Sequence, residues 1–395
     1  MTARRPARIG IDAHLLSFAS SYRQAGVSRY IAELLRAFGG DADPTDAHDY
    51  LAFVGPEPVP AEFLPRDARG PLRFVLSRIP TANPLARIAW EQAVGPFAAT
   101  RARLDLFHGP VNALPLAAPG RGVVTIHDLA FLAHPEALGA ARRRYLTLLT
   151  ALSARRAARI ITVSAFTRDE VVRRLRVPAS KVAVVHNAVD AAFKPLPAEE
   201  IARFKEAQRL PERAILCVGT LEPRKNLTGL LEAFARLAPA TDAELVVVGG
   251  QGWLFDEALA HVATLGLTGR VRFTGFVPDD DLPRWYNAAT IFVYPSLYEG
   301  FGLPPLEALA CGAPTVTSAG TVMAEIVGDA ALLADPRDPA AIAAAIARLL
   351  NDDTLRATLR ASGPHQAAPF TWARAAAATR DVYDEVLRRG ARRSR

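Results

Sequence analysis

The chain has 395 residues, of which 50% are hydrophobic and 22% are charged. This composition argues against an intrinsically disordered protein, and the length is sufficient for two domains with separate buried cores. No apolar run reaches the ~18 residues that a membrane-spanning helix needs, which argues against an integral membrane protein.

The formal net charge of +7 is unevenly distributed. Residues 1–190 contain 25 Lys and Arg against 16 Asp and Glu, whereas residues 191–395 contain 22 against 24. A basic first half predicts an anionic partner, either a phosphate-bearing acceptor or an acidic membrane surface. A general bias towards arginine explains the excess equally well. Nucleic acid is not expected as a partner, because no basic run is interleaved with aromatic residues for stacking on bases.

Short apolar runs with strand propensity alternate with helical patterns along the chain, which predicts an α/β protein with doubly wound parallel sheets. In the first half the predicted strands are Arg8–Asp12, Tyr50–Val54, Leu72–Leu76, Leu106–His108, Val123–His127, Ile160–Ser164 and Val182–His186. In the second half they are Ile215–Gly219, Leu245–Gly249, Val271–Phe276, Ile291–Tyr294, Pro314–Thr317 and Ala331–Leu333.

A charged helical segment between Pro195 and Pro211 interrupts this alternation. We therefore predict an N-terminal Rossmann-like domain over residues 1–192 and a C-terminal Rossmann-like domain over residues 193–370. Residues 371–395 are predicted to form a C-terminal helix that packs back across the domain junction and ends in a basic tail. Ligands of doubly wound sheets bind beyond the carboxyl ends of the strands, so a cleft between the two domains is the expected active site.

Two loops of the first domain contain candidate site residues. Gly26 precedes a predicted helix, Ser28–Phe38, and a glycine there lets the backbone approach a phosphate. His127 ends the strand Val123–His127, where its ring can contact a sugar hydroxyl. A histidine at a strand end is more often structural, and that alternative stays open.

The first strand of the second domain is followed by Gly219-Thr-Leu-Glu-Pro-Arg-Lys-Asn226. Two adjacent cations therefore stand at the carboxyl end of a strand, where phosphate is expected to bind. Arg224 can hold phosphate oxygens with its guanidinium fork, and Lys225 supplies a compact charge. Asn226 is expected to cap the helix Leu227–Leu237. The alternative is an ordinary solvated Arg-Lys pair.

The most informative segment is Tyr294–Gly312. Gly300 and Gly302 permit a tight turn after a strand, and the two following prolines suit the start of a helix, predicted over Leu306–Ala310. A helix N-terminus behind glycines predicts an anion site for a diphosphate. The predicted hydrogen-bond donors to this diphosphate are the backbone N–H groups of Gly300, Phe301, Gly302 and Leu303.

Two carboxylates flank this turn. Glu299 directly precedes it, and Glu307 is expected in the first helical turn, where it can accept hydrogen bonds from ribose hydroxyls. The alternative for Glu307 alone is stabilisation of the helix start by the helix dipole.

Together these segments resemble the large GT-B family of retaining glycosyltransferases, glycosyltransferase family 4 (glycosyl transferases group 1), which includes bacterial O-antigen and capsule mannosyltransferases. The segments that carry the resemblance are Trp90-Glu-Gln92, Thr125–Leu129, Thr162-Val-Ser164, Gly219–Asn226, Gly249-Gly250 and Glu299–Gly312. The last has the family's Glu-x7-Glu spacing. One departure is Gly320–Glu325, where many relatives have a Ser-Ser-x-Pro-Glu loop, and this departure leaves the detailed shape of the donor pocket open.

The resemblance implies that the domain over residues 1–192 binds the acceptor and that the domain over residues 193–370 binds the nucleotide-sugar donor. It also implies a role for each candidate residue. Glu307 would bind the nucleotide ribose, and Arg224 and Lys225 would bind the diphosphate. Glu299 would lie near the donor sugar, and His127 would contact that sugar from the first domain. The predicted catalytic group consists of His127, Glu299, Arg224 and Lys225.

Gly26 matches the family's glycine loop, which approaches the β-phosphate. The resemblance also implies that no bound metal or other cofactor is needed, and the acidic run Asp279–Asp281 is expected to cap a helix instead.

The predicted reaction is the transfer of a hexose from a nucleotide diphosphate sugar to a hydroxyl of a growing glycan, in lipopolysaccharide, O-antigen or exopolysaccharide synthesis. Retention at the anomeric carbon follows from the resemblance, and GDP-mannose is the favoured donor. Rhamnosyl or glucosyl transfer is the first alternative. A nucleotide-sugar epimerase of the same architecture is the second, and a sugar-nucleotide-binding protein without activity is disfavoured because the charged site residues are all present.

The chain is expected to be cytoplasmic. No apolar segment of signal-peptide type follows the basic N-terminus, and Cys217 and Cys311 lack metal-ligand spacing and are predicted to be buried free thiols. A lipid-linked or glycan acceptor would dock on the basic first domain around Arg142–Arg144 and Arg155-Arg156, with peripheral contact to the inner membrane face. A solvated helix face is the alternative there.

Overall fold

The computed structural model describes residues 6–16, 26–39, 48–63, 71–81, 83–134, 139–250 and 255–393. The chain divides into two compact units, the first formed by Met1–Asn187 with Trp372–Arg395 and the second by Ala188–Thr371. The predicted boundary after residue 192 therefore falls a few residues inside the second unit. Gln24, Ala25 and the stretch 251–253 lie outside the described residues.

The first unit contains a seven-stranded parallel sheet with the strand order β3-β2-β1-β4-β5-β6-β7. Its strands are β1 Ala7–Asp12, β2 His48–Val54, β3 Leu72–Leu76, β4 Leu106–Gly109, β5 Arg121–Ile126, β6 Arg159–Thr162 and β7 Val182–Val184. The chain runs from β1 outward to β3 and then returns to the other side of β1. The strand order therefore reverses between β1 and β4, and crevices at such points are where doubly wound sheets bind ligands.

Helices cover this sheet: α1 Val27–Gly39, α2 Pro84–Ala89, α3 Gly95–Arg101, α4 Ala130–Ala133, α5 Ala140–Arg156 and α6 Ala165–Leu175. A π-helical turn, Trp90–Val94, joins α2 to α3. The C-terminal helix Trp372–Arg393 also belongs to this unit, and Val382 and Tyr383 lie in the same core cluster as Phe38 of α1. Burial of its apolar stripe against α1 explains why this helix folds with the first unit, although it follows the second in sequence.

The second unit contains a six-stranded parallel sheet with the order β10-β9-β8-β11-β12-β13. Its strands are β8 Ala214–Val218, β9 Glu244–Val248, β10 Val271–Gly275, β11 Ile291–Tyr294, β12 Thr315–Ser318 and β13 Leu332–Ala334. Its helices are α7 Ala198–Gln208, α8 Leu227–Leu237, α9 Phe255–Thr264, α10 Leu282–Ala288, α11 Leu303–Ala310, α12 Met323–Val327, α13 Pro339–Asn351 and α14 Asp353–Ala367. The strand order reverses between β8 and β11, the two strands whose ends contain the predicted phosphate-binding segments.

The predicted bounds of β3, β11 and α8 are confirmed to the residue. Helix α14 was not predicted, because Gly363 and Pro364 near its end are residues that normally interrupt helices. Gly363 is required by packing: a Cβ there would lie 2.7 Å from the carbonyl oxygen of Leu309 in α11. The two predicted free thiols, Cys217 and Cys311, are confirmed as buried.

Candidate functional site

The turn after β8 presents two adjacent cations. A 3-10 turn, Pro223–Lys225, holds Arg224 and Lys225 beyond the carboxyl end of the strand. Asn226 follows in the left-handed conformation at φ 59°, which asparagine tolerates better than most residues. Its expected side-chain cap on α8 is wrong. The Asn226 amide instead donates hydrogen bonds to the carbonyl oxygens of Pro295 at 3.1 Å and Pro336 at 2.6 Å.

These bonds are part of a connection between the turn after β8 and the segment after β11. The backbone N–H of Leu297 donates to the carbonyl oxygen of Arg224 at 2.8 Å, and the Ser296 hydroxyl donates to the same oxygen at 2.9 Å. Segments more than 70 residues apart in sequence are thus fixed to each other through their backbones, which gives the Arg224 side chain a rigid base.

The glycine turn after β11 starts a helix earlier than predicted. Gly302 has φ 103°, and α11 begins at Leu303 rather than at Leu306. Pro304 and Pro305 occupy the first turn, where their missing N–H groups are not needed within the helix. Leu303 is therefore the only one of these three residues with an N–H to offer an anion.

The earlier start also corrects the position of Glu307. The first turn of α11 contains no acidic residue, and Glu307 lies one turn further along the helix. The helix dipole acts mainly within the first turn, so it does not account for this buried carboxylate.

We expect Gly302→Ala to destabilise the protein and to weaken nucleotide binding. An alanine at φ 103° costs about 1–3 kcal/mol of conformational strain, and its Cβ would lie 2.7 Å from Sδ of Met323. Urea unfolding and nucleotide titration would measure the two effects. Gly266→Ala is the control, because Gly266 has φ 68° with no neighbour within 4 Å of the added Cβ. Equal losses of nucleotide affinity in both variants would contradict a local role for Gly302.

Glu299 lies at the centre of an ion-pair network with both cations. Its Oε2 accepts from Nη1 of Arg224 at 2.8 Å, and its Oε1 accepts from Nζ of Lys225 at 2.5 Å. The Tyr294 hydroxyl also donates to Oε1 at 2.8 Å, and the Ser296 hydroxyl, whose one proton is shared with the carbonyl oxygen of Arg224, lies 2.9 Å from Oε1. The sequence placed Glu299 near the donor sugar and the two cations at the diphosphate, but it did not predict their direct pairing or the two hydroxyl partners.

The surrounding charges set the protonation of this cluster. Burial by itself would raise the pKa of Glu299, but Arg224 and Lys225 outweigh burial and lower that pKa to about 2. Burial lowers the pKa of Lys225, and the Glu299 carboxylate opposes that shift. The pKa of Tyr294 is raised well above its ordinary range by burial and by the charge of Glu299. An ionised carboxylate therefore lies between two cations and two neutral hydroxyl donors.

The pairing changes the charge available to a ligand. Nε of Arg224 also donates to Glu222 at 2.9 Å, so two cations meet two carboxylates. The Lys225 ammonium has three N–H donors, and Glu299 and the Tyr294 hydroxyl receive two of them. A diphosphate bound here would therefore add negative charge to an electrically balanced cluster, in which Glu299 holds both cations in place.

Glu307 is buried against α10. The Tyr286 hydroxyl donates to Oε2 of Glu307 at 2.9 Å, and both side chains are buried. Burial and the negative charge of Glu307 raise the pKa of Tyr286 well above its ordinary range, so the phenol stays a hydrogen-bond donor. This partner was not predicted, because it comes from a helix that precedes β11.

His127 and Gly26 belong to the first unit, whereas the residues after β8 and β11 belong to the second. His127 follows β5 directly, and Nε2 donates to the carbonyl oxygen of Pro110 at 2.8 Å. Burial lowers the pKa of His127, which favours the neutral ring. Since Nε2 carries the proton in this arrangement, Nδ1 is a hydrogen-bond acceptor, as contact with a sugar hydroxyl requires. Gly26 has φ 66° and precedes α1, and no described residue lies within 4 Å of an added Cβ.

The Trp90-Glu-Gln92 segment forms the π-helical turn of the first unit. Trp90 packs on the ring of His14 with 3.9 Å between centroids, and Gln92 bonds to the backbone of Leu114 at 3.0 Å. Burial and the nearby charge of Asp12 raise the pKa of Glu91 to about 8. This buried polar cluster at the end of β1 was not predicted as a site.

No group of three or more His, Cys, Asp or Glu suited to a metal ion occurs among the described residues. In the acidic run, Asp281 stands at the N-terminus of α10 without a side-chain cap, so the expected capping is wrong. It accepts from Nη1 of Arg284 at 2.7 Å.

Solved structures with the same fold are glycosyltransferases. Sucrose-phosphate synthase from Thermosynechococcus elongatus matches with a TM-score of 0.77 at 22% identity, over 96% of this chain and 99% of that one. Anabaena HepE, solved in complex with UDP and glucose, matches with a TM-score of 0.74 at 18% identity, over 96% of this chain and all of that one. The two Rossmann-like units thus form the GT-B fold, as predicted.

Family models identify the chain itself. Glycosyltransferase Family 4 matches residues 24–193, and Glycosyl transferases group 1 matches residues 198–366. O-antigen chain mannosyltransferase B of Escherichia coli is 40% identical over 282 residues, which cover 70% of this chain and 74% of that relative. The chain belongs to this glycosyltransferase family and is an enzyme that transfers hexosyl groups.

Other relatives are longer. The serotype-specific mannosyltransferase WbdA of Escherichia coli is 33% identical over 277 residues, and the match spans about a third of its length. D-inositol 3-phosphate glycosyltransferase of Salinispora arenicola is 36% identical over 235 residues, with about half of its length matched.

Among the described helices, none has the length and apolar character to cross a membrane.

Proposed function

We propose that this glycosyltransferase moves mannose from GDP-mannose to a hydroxyl of a growing O-antigen-type glycan, with retention at the anomeric carbon. The observation that carries nucleotide-sugar binding is the convergence of Arg224 and Lys225 on Glu299, at the point where the strand order of the second unit reverses. The mannosyl and O-antigen parts rest on the names of the similar Escherichia coli enzymes.

The proposed chemistry is electrostatic. Negative charge develops on the diphosphate as the bond to the sugar breaks, and cations fixed in advance stabilise that charge without reorganising. Arg224 and Lys225 supply the charge, and backbone N–H groups of Gly300–Leu303 supply hydrogen bonds. These groups take the place that a metal ion has in other transferases, so we propose that no metal or other cofactor is required.

Three groups would complete the site. Nδ1 of His127 would accept a hydrogen bond from a hydroxyl of the donor sugar. Gly26 would let the backbone approach the β-phosphate. Glu299 is proposed to orient both cations near the donor sugar rather than to attack it, because its carboxylate already accepts hydrogen bonds from Arg224, Lys225 and Tyr294. Retention would then follow a front-face route, in which the departing phosphate accepts the proton of the incoming hydroxyl.

A donor screen tests the assignment. GDP should raise the melting temperature of the protein more than UDP or dTDP does. The effect is measurable, because a ligand at 100 times its dissociation constant stabilises the folded protein by about 2.7 kcal/mol. Turnover should require both GDP-mannose and a glycan acceptor. Product formation without any acceptor would indicate an epimerase, and a preference for dTDP- or UDP-sugars would indicate rhamnosyl or glucosyl transfer.

Glu307→Gln is expected to raise the dissociation constant for GDP about tenfold, because a hydrogen bond to a charged acceptor is worth more than one to a neutral amide. The amide oxygen can still accept from Tyr286, so the fold should be retained. Isothermal titration with GDP would measure the loss. Tyr286→Phe removes only the hydroxyl partner of Glu307, so it should weaken GDP binding less than Glu307→Gln does. Unchanged GDP binding in Glu307→Gln would contradict the ribose-binding role.

The acceptor is proposed to reach the enzyme at the cytoplasmic face of a membrane, with α5 on the lipid surface. Arg142 and Arg144 are exposed, and Leu148, one turn after Arg144, is 62% exposed. Arg156, which the sequence placed in the same basic surface, instead bonds to the carbonyl oxygens of Ala118 and Gly120. An exposed apolar side chain among arginines suits an anionic bilayer.

We expect the protein to co-sediment with phosphatidylglycerol vesicles and not with phosphatidylcholine vesicles. Arg142→Glu combined with Arg144→Glu should remove most of this binding, because each basic residue near an anionic surface contributes about 1 kcal/mol. Arg209→Glu, in the second unit, is the control. Binding that ignores anionic lipid content would contradict the membrane contact.

A further inference from the structure

A chain of buried side-chain hydrogen bonds crosses the first unit. It begins on the C-terminal helix, where the Tyr383 hydroxyl lies 2.6 Å from Nδ1 of His108 in β4. Nε2 of His108 lies 2.8 Å from Oγ1 of Thr125 in β5, and that oxygen lies 3.2 Å from the hydroxyl of Tyr30 in α1. All four side chains are buried, so water does not compete for these bonds.

The chain ends against His127. The Tyr30 ring packs on the His127 ring edge to face, with 4.7 Å between centroids and 83° between planes. Thr125 lies two residues before His127. His108 lies two residues before Pro110, whose carbonyl oxygen accepts the hydrogen bond from His127. Two members of the chain therefore lie on the two strands that hold His127, and a third touches its ring.

The protons in this chain are correlated. Burial, with the neighbouring His127, lowers the pKa of His108 to about 3, and burial raises the pKa of Tyr30 to about 12, so both stay neutral. A neutral imidazole donates from one nitrogen and accepts at the other. The two bonds of His108 must therefore run in the same direction, so a change in the proton at Tyr383 or at Thr125 changes the bond on the other side of the ring.

We propose that Tyr383, His108, Thr125 and Tyr30 are positioning residues that fix the orientation and the proton position of His127. The C-terminal helix is thereby part of the catalytic structure of the first unit and more than a cover for its core. This inference rests on the proposed role of His127 towards the donor sugar. The described contacts that connect the helix to His127 belong to the first unit, so the effect is expected on kcat rather than on nucleotide binding.

The test compares two substitutions of the central residue in the full-length enzyme. Thr125→Val keeps the shape of the side chain and removes the hydroxyl, whereas Thr125→Ser keeps the hydroxyl and removes a methyl group. We expect kcat to fall roughly ten- to a hundredfold in Thr125→Val, the range that a small misplacement of a catalytic group produces. Tyr383→Phe should lower kcat in the same direction, and Thr125→Ser should retain most of it. The GDP dissociation constant should stay unchanged in all three.

A purely structural role would alter thermal stability without this pattern. Histidine 15N spectra provide a second readout, with the His127 signals assigned by their loss in His127→Gln. They should show the Nε2-protonated ring in the wild type and in Thr125→Ser, and a changed protonation pattern in Thr125→Val. Tyr145→Phe is the control, because the Tyr145 hydroxyl has no hydrogen-bond partner among the described residues, and it should leave kcat and the spectra unchanged.

Unchanged His127 signals together with normal kcat in Thr125→Val and Tyr383→Phe would overturn the inference, whichever sugar the enzyme transfers. Normal turnover of His127→Gln, with altered His127 signals in Thr125→Val, would instead overturn the role of His127 in the proposed function.

Discussion

Lys225→Ala is expected to lower kcat/KM for transfer by about 10²–10³, the usual cost of removing one fixed group that stabilises developing negative charge. The ammonium is held by Glu299 and the Tyr294 hydroxyl beyond β8, so it needs no rearrangement as the diphosphate departs. Arg224 keeps its bond to Glu299 in this variant, and the turn should remain folded.

Initial rates with a fixed acceptor and varied nucleotide sugar would measure the effect. Lys205→Ala is the matched control, because Lys205 lies on α7 of the same unit and bonds only to the carbonyl oxygen of Glu212 among the contacts described. Near-normal kcat/KM in Lys225→Ala would show that Arg224 and the backbone suffice, and would remove Lys225 from the proposed mechanism.

Glu299→Gln is expected to destabilise the second unit at neutral pH and to flatten its response to acid. The pKa of Glu299 is about 2 in the folded protein, against an ordinary value of 4.5. Because folding lowers this pKa, the stabilisation is fully present above the ordinary value and is lost as the pH falls from 4.5 towards 2. The shift corresponds to about 3 kcal/mol, and the variant also leaves two largely buried cations without their shared carboxylate.

Urea unfolding midpoints between pH 7 and pH 3 would measure this difference. Wild type should lose stability more steeply than Glu299→Gln as the pH falls below 4.5, so the difference between the two curves should narrow by pH 3. Glu200→Gln is the control, because the Glu200–Arg284 pair is exposed and such pairs contribute about 0–1 kcal/mol. Parallel curves for wild type and Glu299→Gln would show that the ion pairs add no pH-dependent stability.

The same substitution separates two views of Glu299 in transfer. If its main role is to hold Arg224 and Lys225, Glu299→Gln should weaken catalysis through the cations, and Lys225→Ala should add little to it. If Glu299 contacts the donor sugar independently, the two losses should add. A double-mutant cycle on kcat/KM distinguishes these outcomes.

Prediction from sequence succeeded where local chemistry decides the structure. The alternation of apolar runs and helical patterns predicted the succession of strands along the chain. The predicted bounds are correct for two strands and one helix, Leu72–Leu76, Ile291–Tyr294 and Leu227–Leu237. It failed at Asn226 and at the start of α11, where the result depends on one dihedral angle. Left-handed backbone at Asn226 and Gly302 redirects the chain, and neither residue type requires that conformation.

By itself, the sequence determined the fold class and the residues that gather beyond the strand ends, because side-chain periodicity and turn chemistry are local properties. The tertiary structure alone decided which of them pair. Glu299 meets Arg224 across 75 residues, and His108 meets Tyr383 across 275. Such contacts depend on how distant elements pack, and no local pattern encodes them. They convert two cations predicted to be open to phosphate into a charge-balanced cluster, and they join the last helix of the chain to the first unit.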